Sequence, residues 1–139
     1  MKIKLSIAKK RLSEVLQTSK ANKKDINTKV AMRMEYDLHK NRFSGFDEIE
    51  NVIDKLKKSN QIKYEIVVDK PSVKLINGHG RAAELIGLDT VNIVSKMAIK
   101  SGIAVVGIFN STYHGILETY TRKIAQQDLI AIVMANGGP

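Results

Sequence analysis

The first part of the chain carries apolar residues at helical spacing. Ile7, Leu12 and Leu16 fit one stripe of a first helix. After the polar break at residues 19–24, Asp25 can cap a second helix. Apolar residues of that helix recur at four-residue steps, as Ile26, Val30, Met34 and Leu38. After a break at 41–45, a third stripe is formed by Phe46, Ile49, Ile53 and Leu56. The pattern predicts three amphipathic helices.

The middle of the chain alternates short apolar runs with turn residues. Tyr64 to Val68 and Val73 to Ile76 are predicted strands, joined by a turn at residues 70–72. A second turn, Asn77-Gly78-His79-Gly80, leads into a long helix that runs to Lys100. Gly102 follows this helix in the position of a C-terminal cap. We therefore expect two strands and one long helix here.

The last third is predicted to form a βαβ unit. Ile103 to Phe109 and Leu129 to Ala135 are apolar runs rich in Val and Ile, which is typical of buried strands. A helix at 116–127 joins them, so the two strands should be parallel, with Ile103 to Phe109 central in the sheet. The sequence thus predicts an α/β fold, with amino-terminal helices followed by a mixed sheet that contains a βαβ unit.

The length of 139 residues suits a single α/β domain over residues 1–139. Within it, residues 1–60 form a helical segment and residues 61–139 form a segment of strands and helices. We find no internal repeat, low-complexity stretch or obvious linker.

The net charge of +9 is concentrated at the amino terminus. Residues 1–24 contain eight basic residues and one acidic residue, which accounts for +7 of the total. A basic helix can contact phosphates, but aromatic residues for base stacking are scarce there, so a solvated helix face is favoured over nucleic-acid binding. The chain has no cysteine and no apolar run near the length that spans a bilayer. We expect a cytoplasmic protein without a metal site.

Polar residues after the predicted strand at 103–109 are the best candidates for chemistry. Tyr113 and His114 can both donate or accept protons, and the loop after such a strand is a common ligand site in α/β proteins. Gly78-His79-Gly80 precedes a helix and could present N–H groups to a phosphate. It lacks the third glycine of the dinucleotide fingerprint, so a plain turn is favoured.

At this point the residues resemble a known family. The order of features from Val73 onward is similar to the second segment of the malate/L-lactate dehydrogenase-type oxidoreductases, which reduce 2-keto acids with NAD(P)H. These enzymes are non-Rossmann proteins. The resemblance rests on Ile76-Asn77-Gly78, the helix to Lys100, Ser101 to Val106, Asn110-Ser111 with Gly115, Tyr120, and Leu129 to Pro139. It covers nearly all of this chain but only about the first two-fifths of a typical member, which suggests a truncated or fragmentary member.

The resemblance implies a site and also shows where this chain departs from the family. The family's two catalytic histidines lie in Ser-His-Gly and Asn-His-aromatic-Gly motifs, and they fall here on Ser44 and Tyr113, with His114 beside the latter. The catalytic candidates are therefore His114, Tyr113 and Ser44. Asn110 and Asn136 are the implied contacts to an NAD or NADP cofactor. The implied partners are a small 2-keto or 2-hydroxy acid and a second copy in a homodimer.

Two interpretations remain open. In the first, the chain is a dehydrogenase of that family, or its amino-terminal piece, and a bound keto acid receives its proton from Tyr113 or His114. In the second, it is a shortened, non-catalytic relative that acts as a binding or structural protein. The arginine that follows Ser-His-Gly in the family has no counterpart, because Asp47, Glu48 and Glu50 fill that stretch.

Overall fold

A computed structural model describes residues 4–38, 49–59, 62–112 and 114–136, without the side chains of Asp37 and Leu38. The chain divides into two compact units, Met1–Ile62 and Lys63–Pro139. Among the described residues, the first unit holds three helices, and the second holds three strands and two helices.

Helix α1 (Leu5–Gln17) buries one stripe of side chains at four-residue spacing, Ala8, Leu12 and Leu16. Ile7, which we expected on this stripe, is 46% exposed. Leu12 and Leu16 are buried as predicted, and Ala8 takes the place expected for Ile7, because it lies four residues before Leu12 on the same face of the helix.

Helix α2 (Lys23–Leu38) is capped by Asn22 rather than by Asp25. The Asp25 N–H donates to Oδ1 of Asn22 at 2.9 Å, and the Asn22 amide donates to Oδ2 of Asp25 at 3.0 Å. The first bond satisfies a backbone N–H that the helix start would leave unbonded, and the second holds the two side chains together. Our assignment of the cap to Asp25 was therefore wrong by three residues. The predicted stripe of Ile26, Val30 and Met34 is buried, as expected.

Helix α3 (Ile49–Ser59) buries Val52, Leu56 and Ser59. Of the stripe predicted for this helix, Leu56 is buried, Ile49 and Ile53 are half-buried, and Phe46 lies outside the described residues. Lys57 and Lys58 occupy the last turn, where cations interact favourably with the helix dipole.

The sheet of the second unit has the order β1-β2-β3. Strands β1 (Glu65–Asp69) and β2 (Val73–Asn77) are antiparallel, and the Lys70 N–H closes their turn by donating to the Val73 carbonyl at 2.8 Å. Strand β3 (Val105–Phe109) pairs in parallel with β2. The sheet is mixed, as predicted, but β2 is central and β3 lies at an edge. Our placement of the strand Ile103 to Phe109 at the centre of the sheet was wrong.

Helix α4 (Ala83–Ser101) makes the crossover between the parallel strands β2 and β3. It ends at Gly102, whose φ of 80° and N–H bond to the Ala98 carbonyl confirm the predicted glycine cap. The βαβ unit of this chain is thus β2-α4-β3. It lies one helix earlier in the sequence than the unit we predicted.

Helix α5 (Glu118–Ala125) packs on α4 through a very close contact. A Cβ placed on Gly87 of α4 would lie 2.6 Å from the Tyr120 ring, so this contact requires glycine. After α5, Leu129 to Asn136 forms neither helix nor strand. Ile130, Ile132 and Met134 are 100%, 83% and 85% exposed. The strand predicted at Leu129 to Ala135 is therefore not formed, because no neighbouring strand within the described residues satisfies its backbone.

The predicted fold class is confirmed: helices followed by a mixed sheet that contains a βαβ unit. In the parts of the chain that are described, no helix has the length and apolar character needed to cross a membrane.

Candidate functional site

The loops that follow β2 and β3 are joined by backbone hydrogen bonds. The Gly78 N–H donates to the Phe109 carbonyl at 2.9 Å, and the Gly80 N–H donates to the Asn110 carbonyl at 2.7 Å. The two strands are parallel neighbours, so their carboxyl ends meet at one edge of the sheet. This edge is where open α/β sheets place ligand sites.

Gly78 sets how closely the two loops approach. A Cβ on this residue would lie 2.9 Å from both the Asn110 carbonyl oxygen and the Ser111 Cβ. It would also lie 3.0 Å from Cδ1 of Ile86 on α4. Since two of these neighbours belong to the loop after β3, any side chain here would push the loops apart.

Asn77 holds the two loops together with its side chain. Its Oδ1 accepts the His79 N–H at 3.0 Å and the Asn110 amide at 3.1 Å. His79 and Asn110 each have a φ of 49°, in the left-handed region that non-glycine residues seldom occupy. Both strained residues donate to one oxygen, so Asn77 is the centre of this cluster. Such strain is found mainly at functional positions, where the surroundings stabilise it.

The side chains of His79 and Glu65 meet beside Asn77 and Asn110. Nε2 of His79 lies 3.1 Å from Oε2 of Glu65, and their side chains are 43% and 62% exposed. Glu65 stands opposite Asn77 in the β1–β2 register, which brings it to the same edge. A carboxylate that hydrogen-bonds one ring nitrogen of an imidazole fixes the orientation of the ring. We name the set Glu65, Asn77, His79 and Asn110 the edge cluster.

The turn Gly78-His79-Gly80 leaves no backbone N–H group of residues 78–81 unbonded for a phosphate. The four N–H groups of Gly78, His79, Gly80 and Arg81 all donate within the protein, to Phe109, Asn77, Asn110 and Gly78 respectively. The turn interpretation of Gly78-His79-Gly80 is therefore confirmed over the phosphate-binding one. The described residues do not fit the pyrophosphate of a dinucleotide at this turn.

His114 is held by local contacts. Its Nδ1 lies 2.9 Å from the Gly115 carbonyl, and its own carbonyl accepts a hydrogen bond from the Tyr120 hydroxyl of α5. Gly115 has a φ of 77°, a conformation that favours glycine. The imidazole is thus held by its own turn, and the backbone of His114 is held by α5.

The remaining predicted site residues are distributed as follows. Asn110 belongs to the edge cluster, whereas Asn136 is exposed in the segment after α5. Ser44 and Tyr113 lie outside the described residues. The structure therefore brings one implied cofactor contact into a polar cluster and places the other at the surface.

Glu65 and Asn77 are members of the edge cluster that sequence reasoning did not assign. Asn77 could have been found, because an asparagine before Gly-x-Gly at a strand end often bonds the backbone two residues on. Glu65 could not, because the β1–β2 register shifts between Ile66 and Val68, and this irregularity decides which residue faces Asn77.

An electrostatic anomaly lies in the first unit. Lys29 of α2 is only 3% exposed. Burial lowers the pKa of its amino group to about 7, with a further lowering by Arg33 and Lys55 and an opposing effect of Asp25. A lysine with this pKa is partly neutral at physiological pH.

Two other features of the described residues bear on ligand binding. A shallow groove of about 390 Å³ lies between α4 and α5, lined by Leu88, Val91, Asn92, Lys123, Gln126 and Gln127. None of the predicted site residues lines it. Over the described ranges, no three His, Asp or Glu side chains lie close enough together to hold a metal ion.

Comparison with known proteins identifies a family and individual relatives. The family model of malate/L-lactate dehydrogenase matches residues 3–139. A malate dehydrogenase of Pyrococcus abyssi is 29% identical over 77 residues, which are 55% of this chain and 21% of the relative. A malate/(S)-sulfolactate dehydrogenase of Methanothermus fervidus is 31% identical over 84 residues, which are 60% of this chain and 24% of the relative.

Solved structures share the fold. Malate dehydrogenase of Pyrococcus horikoshii superposes with a TM-score of 0.84 at 19% identity, covering 91% of this chain and 37% of the other. Sulfolactate dehydrogenase of Methanocaldococcus jannaschii gives 0.82 at 23% identity, covering 92% and 38%. The chain thus spans between a fifth and two-fifths of the length of these relatives.

Proposed function

We propose that this chain, which belongs to the malate/L-lactate dehydrogenase family, forms the amino-terminal scaffold of an NAD(P)-dependent 2-hydroxy acid oxidoreductase. The 139 residues supply the fold and the edge cluster. By themselves they do not carry out hydride transfer. The observation that carries this proposal is that the family model matches residues 3–139, while the chain spans 21% of one curated malate dehydrogenase and 37% of a solved one.

The chemistry-bearing positions support the same proposal. A 2-keto acid needs a cation or several N–H donors for its carboxylate and a proton donor for its carbonyl oxygen. Ser44 and Tyr113 replace the two histidines implied by the family resemblance. If catalysis occurs, Tyr113 or His114 is the proposed proton donor, Ser44 the proposed hydroxyl at the first position, and Asn110 and Asn136 the proposed cofactor contacts.

The second candidate function is a non-catalytic binding or structural protein. The exposure of Ile130, Ile132 and Met134 favours it, because apolar surface of this kind is normally covered by a partner. A homodimer is part of our proposal for this reason.

We further propose that residues 1–139 act as one domain. The cytoplasmic location expected from the absence of cysteine completes the proposal.

A nucleotide titration tests the scaffold proposal. The fluorescence of NADH and of NADPH is followed as the purified chain is added, with a full-length malate dehydrogenase as the positive control. We expect no saturable change with this chain at concentrations where the control is saturated. Tight, saturable binding of either nucleotide would show that this chain holds a complete nucleotide site, and the scaffold proposal would fail.

A further inference from the structure

Helix α2 carries a row of buried charged side chains along one face. Asp25, Lys29 and Arg33 are 3%, 3% and 7% exposed. They follow one another at four-residue steps, which places successive members about 5–6 Å apart at their Cβ atoms. Lys55 of α3 is half-buried and close enough for its charge to act on the Lys29 amino group. We call these four residues the charged cluster.

The helices around the charged cluster contribute no other buried charge within the described ranges. Helix α1 packs on α2, and its buried residues are all apolar, whereas its charged side chains are exposed. On α3 every charged side chain other than Lys55 is exposed. Glu35 of α2 is half-buried, but it lies six residues after Lys29 and therefore on another side of the helix. The described charges that act on Lys29 are thus two cations and one carboxylate.

Arg33 is held in the charged cluster by an aromatic contact. Its guanidinium carbon lies 5.9 Å from the centre of the Tyr36 ring, and Tyr36 is fully buried. A guanidinium within about 6 Å of an aromatic ring centre is attracted by the ring. One cation beside Lys29 is therefore fixed in position.

A positive charge on Lys29 is unfavourable at this position, whereas a negative charge is favoured. Burial first, and then Arg33 and Lys55, lower the pKa of the amino group to about 7, against the opposing effect of Asp25. Neutral amine is therefore present at physiological pH, and a desolvated lysine beside other cations is an activated nucleophile. An anion attached to Nζ would be attracted by both neighbouring cations. The charged cluster thus combines a nucleophilic nitrogen with charges that stabilise an anionic product.

We propose that Lys29 is a site of reversible carbamate formation with carbon dioxide. The lone pair of the neutral Nζ forms a bond to the carbon of CO2, and one C=O electron pair moves onto an oxygen. Nζ then releases a proton to solvent, which leaves a lysine carbamate with one negative charge. The charges of the cluster change from three positive and one negative to two positive and two negative. The two carbamate oxygens match the parallel N–H groups that an arginine such as Arg33 presents to a carboxylate.

Burial of Lys29 favours carbon dioxide over other electrophiles. CO2 is small and uncharged, so it enters an apolar interior without the desolvation cost that a charged 2-keto acid would incur. Carbamates decompose on protonation, so the exclusion of water also protects the product. The inference goes beyond the proposed function and does not depend on it, because neither a nucleotide nor a keto acid takes part.

Carbon-13 NMR of the chain in labelled bicarbonate and CO2, at neutral to mildly alkaline pH, tests the site. A free α-amino group also forms carbamates, so the signal of Lys29 is the carbamate resonance that is lost in Lys29→Met. The matched control is Lys9→Met, which removes an exposed lysine of α1 and should keep this resonance. Ethylation of the wild-type carbamates with triethyloxonium, followed by peptide mass spectrometry, should label the peptide that contains Lys29. This second readout requires no variant.

The variant Lys55→Gln tests whether the neighbouring cations stabilise the carbamate. Loss of one positive charge beside the anion should lower the Lys29 carbamate signal at fixed CO2 on the order of 5-fold. Lys58→Gln removes an exposed cation of the same helix and should leave the signal unchanged. Circular dichroism of each variant checks that it is folded.

Three results would overturn the inference. A set of carbamate resonances that is the same in the wild type and in Lys29→Met belongs to other amino groups. An unlabelled Lys29 peptide from the wild-type chain at saturating CO2 shows that this residue is not modified. Equal Lys29 signals in Lys55→Gln and in the wild type show that the charged cluster does not stabilise the carbamate.

Discussion

The amino group of Lys29 lies where a positive charge is unfavourable. The side chain is buried on α2 with Arg33 as its neighbour one turn away, and the pKa falls to about 7. Sequence reasoning did not find this residue, because a lysine on an amphipathic helix is normally solvated. The cap was assigned to Asp25 instead of Asn22, because both residue types are good caps and the sequence does not show at which residue the helix begins.

Replacement of Lys29 should change how stability depends on pH. The folded-state pKa is below the unfolded value of 10.5. Below pH 7 both states are protonated, and the full cost of burying the charge is present. Between about pH 7 and 10.5 the unfolded state binds more protons, so stability rises with pH by up to about 1.4 kcal/mol per unit. Lys29→Met should lose this rise.

Urea denaturation at pH 7 and pH 9 measures the effect of Lys29→Met. The matched control is Lys9→Met, because Lys9 is exposed on α1. The control should keep the wild-type increase in unfolding free energy between the two pH values. An equal increase in Lys29→Met would contradict the assigned charge burial.

At the scale of elements, the sequence predicted most of the helices and strands because their patterns are local. The β1–β2 hairpin, the long helix before Gly102 and the strand before Asn110 were all found within a few residues. The strand predicted at Leu129 to Ala135 does not form, and the reason is physical. Alternating apolar residues show that a segment needs cover, but they do not show which neighbour supplies it. The order of the strands in the sheet was also predicted wrongly, because the parallel pairing of β2 with β3 is a long-range contact that local patterns do not show.

The junction between the loops after β2 and β3 should be sensitive to one methyl group. Gly78→Ala places a Cβ 2.9 Å from the Asn110 carbonyl and the Ser111 Cβ, so the loops must separate. We expect a loss of about 1–3 kcal/mol in the free energy of unfolding. The control is Gly107→Ala on β3, whose Cβ meets only the Leu75 Cδ1, at 3.0 Å. That flexible side chain can move, so the control should lose less. Equal losses, measured by urea denaturation, would argue against a tight junction at Gly78.

At the scale of the whole molecule, the candidate site could be predicted only in part. The loop after β3 was expected to hold polar chemistry, and Asn110 does belong to the edge cluster. The contribution of Glu65 depends on strand register, which sequence spacing does not encode. The roles of Ser44, Tyr113 and His114 remain proposals, because they rest on family resemblance rather than on observed geometry.

The central claim is that this chain has the family's scaffold without its catalytic power. Replacing a general acid typically lowers a rate by about 100- to 10,000-fold. We propose that these 139 residues do not by themselves hold hydride donor and acceptor together, which would lower the rate further. Both effects act on this chain if the claim is right, so the residual rate should lie below detection.

A turnover assay tests this claim most directly. The loss of NADH or NADPH absorbance is followed with the isolated chain and a panel of 2-keto acids that includes pyruvate and oxaloacetate. We predict no rate above that of a blank without protein. Robust turnover that disappears in Tyr113→Phe or His114→Ala would contradict the account and establish the turn after β3 as an active site.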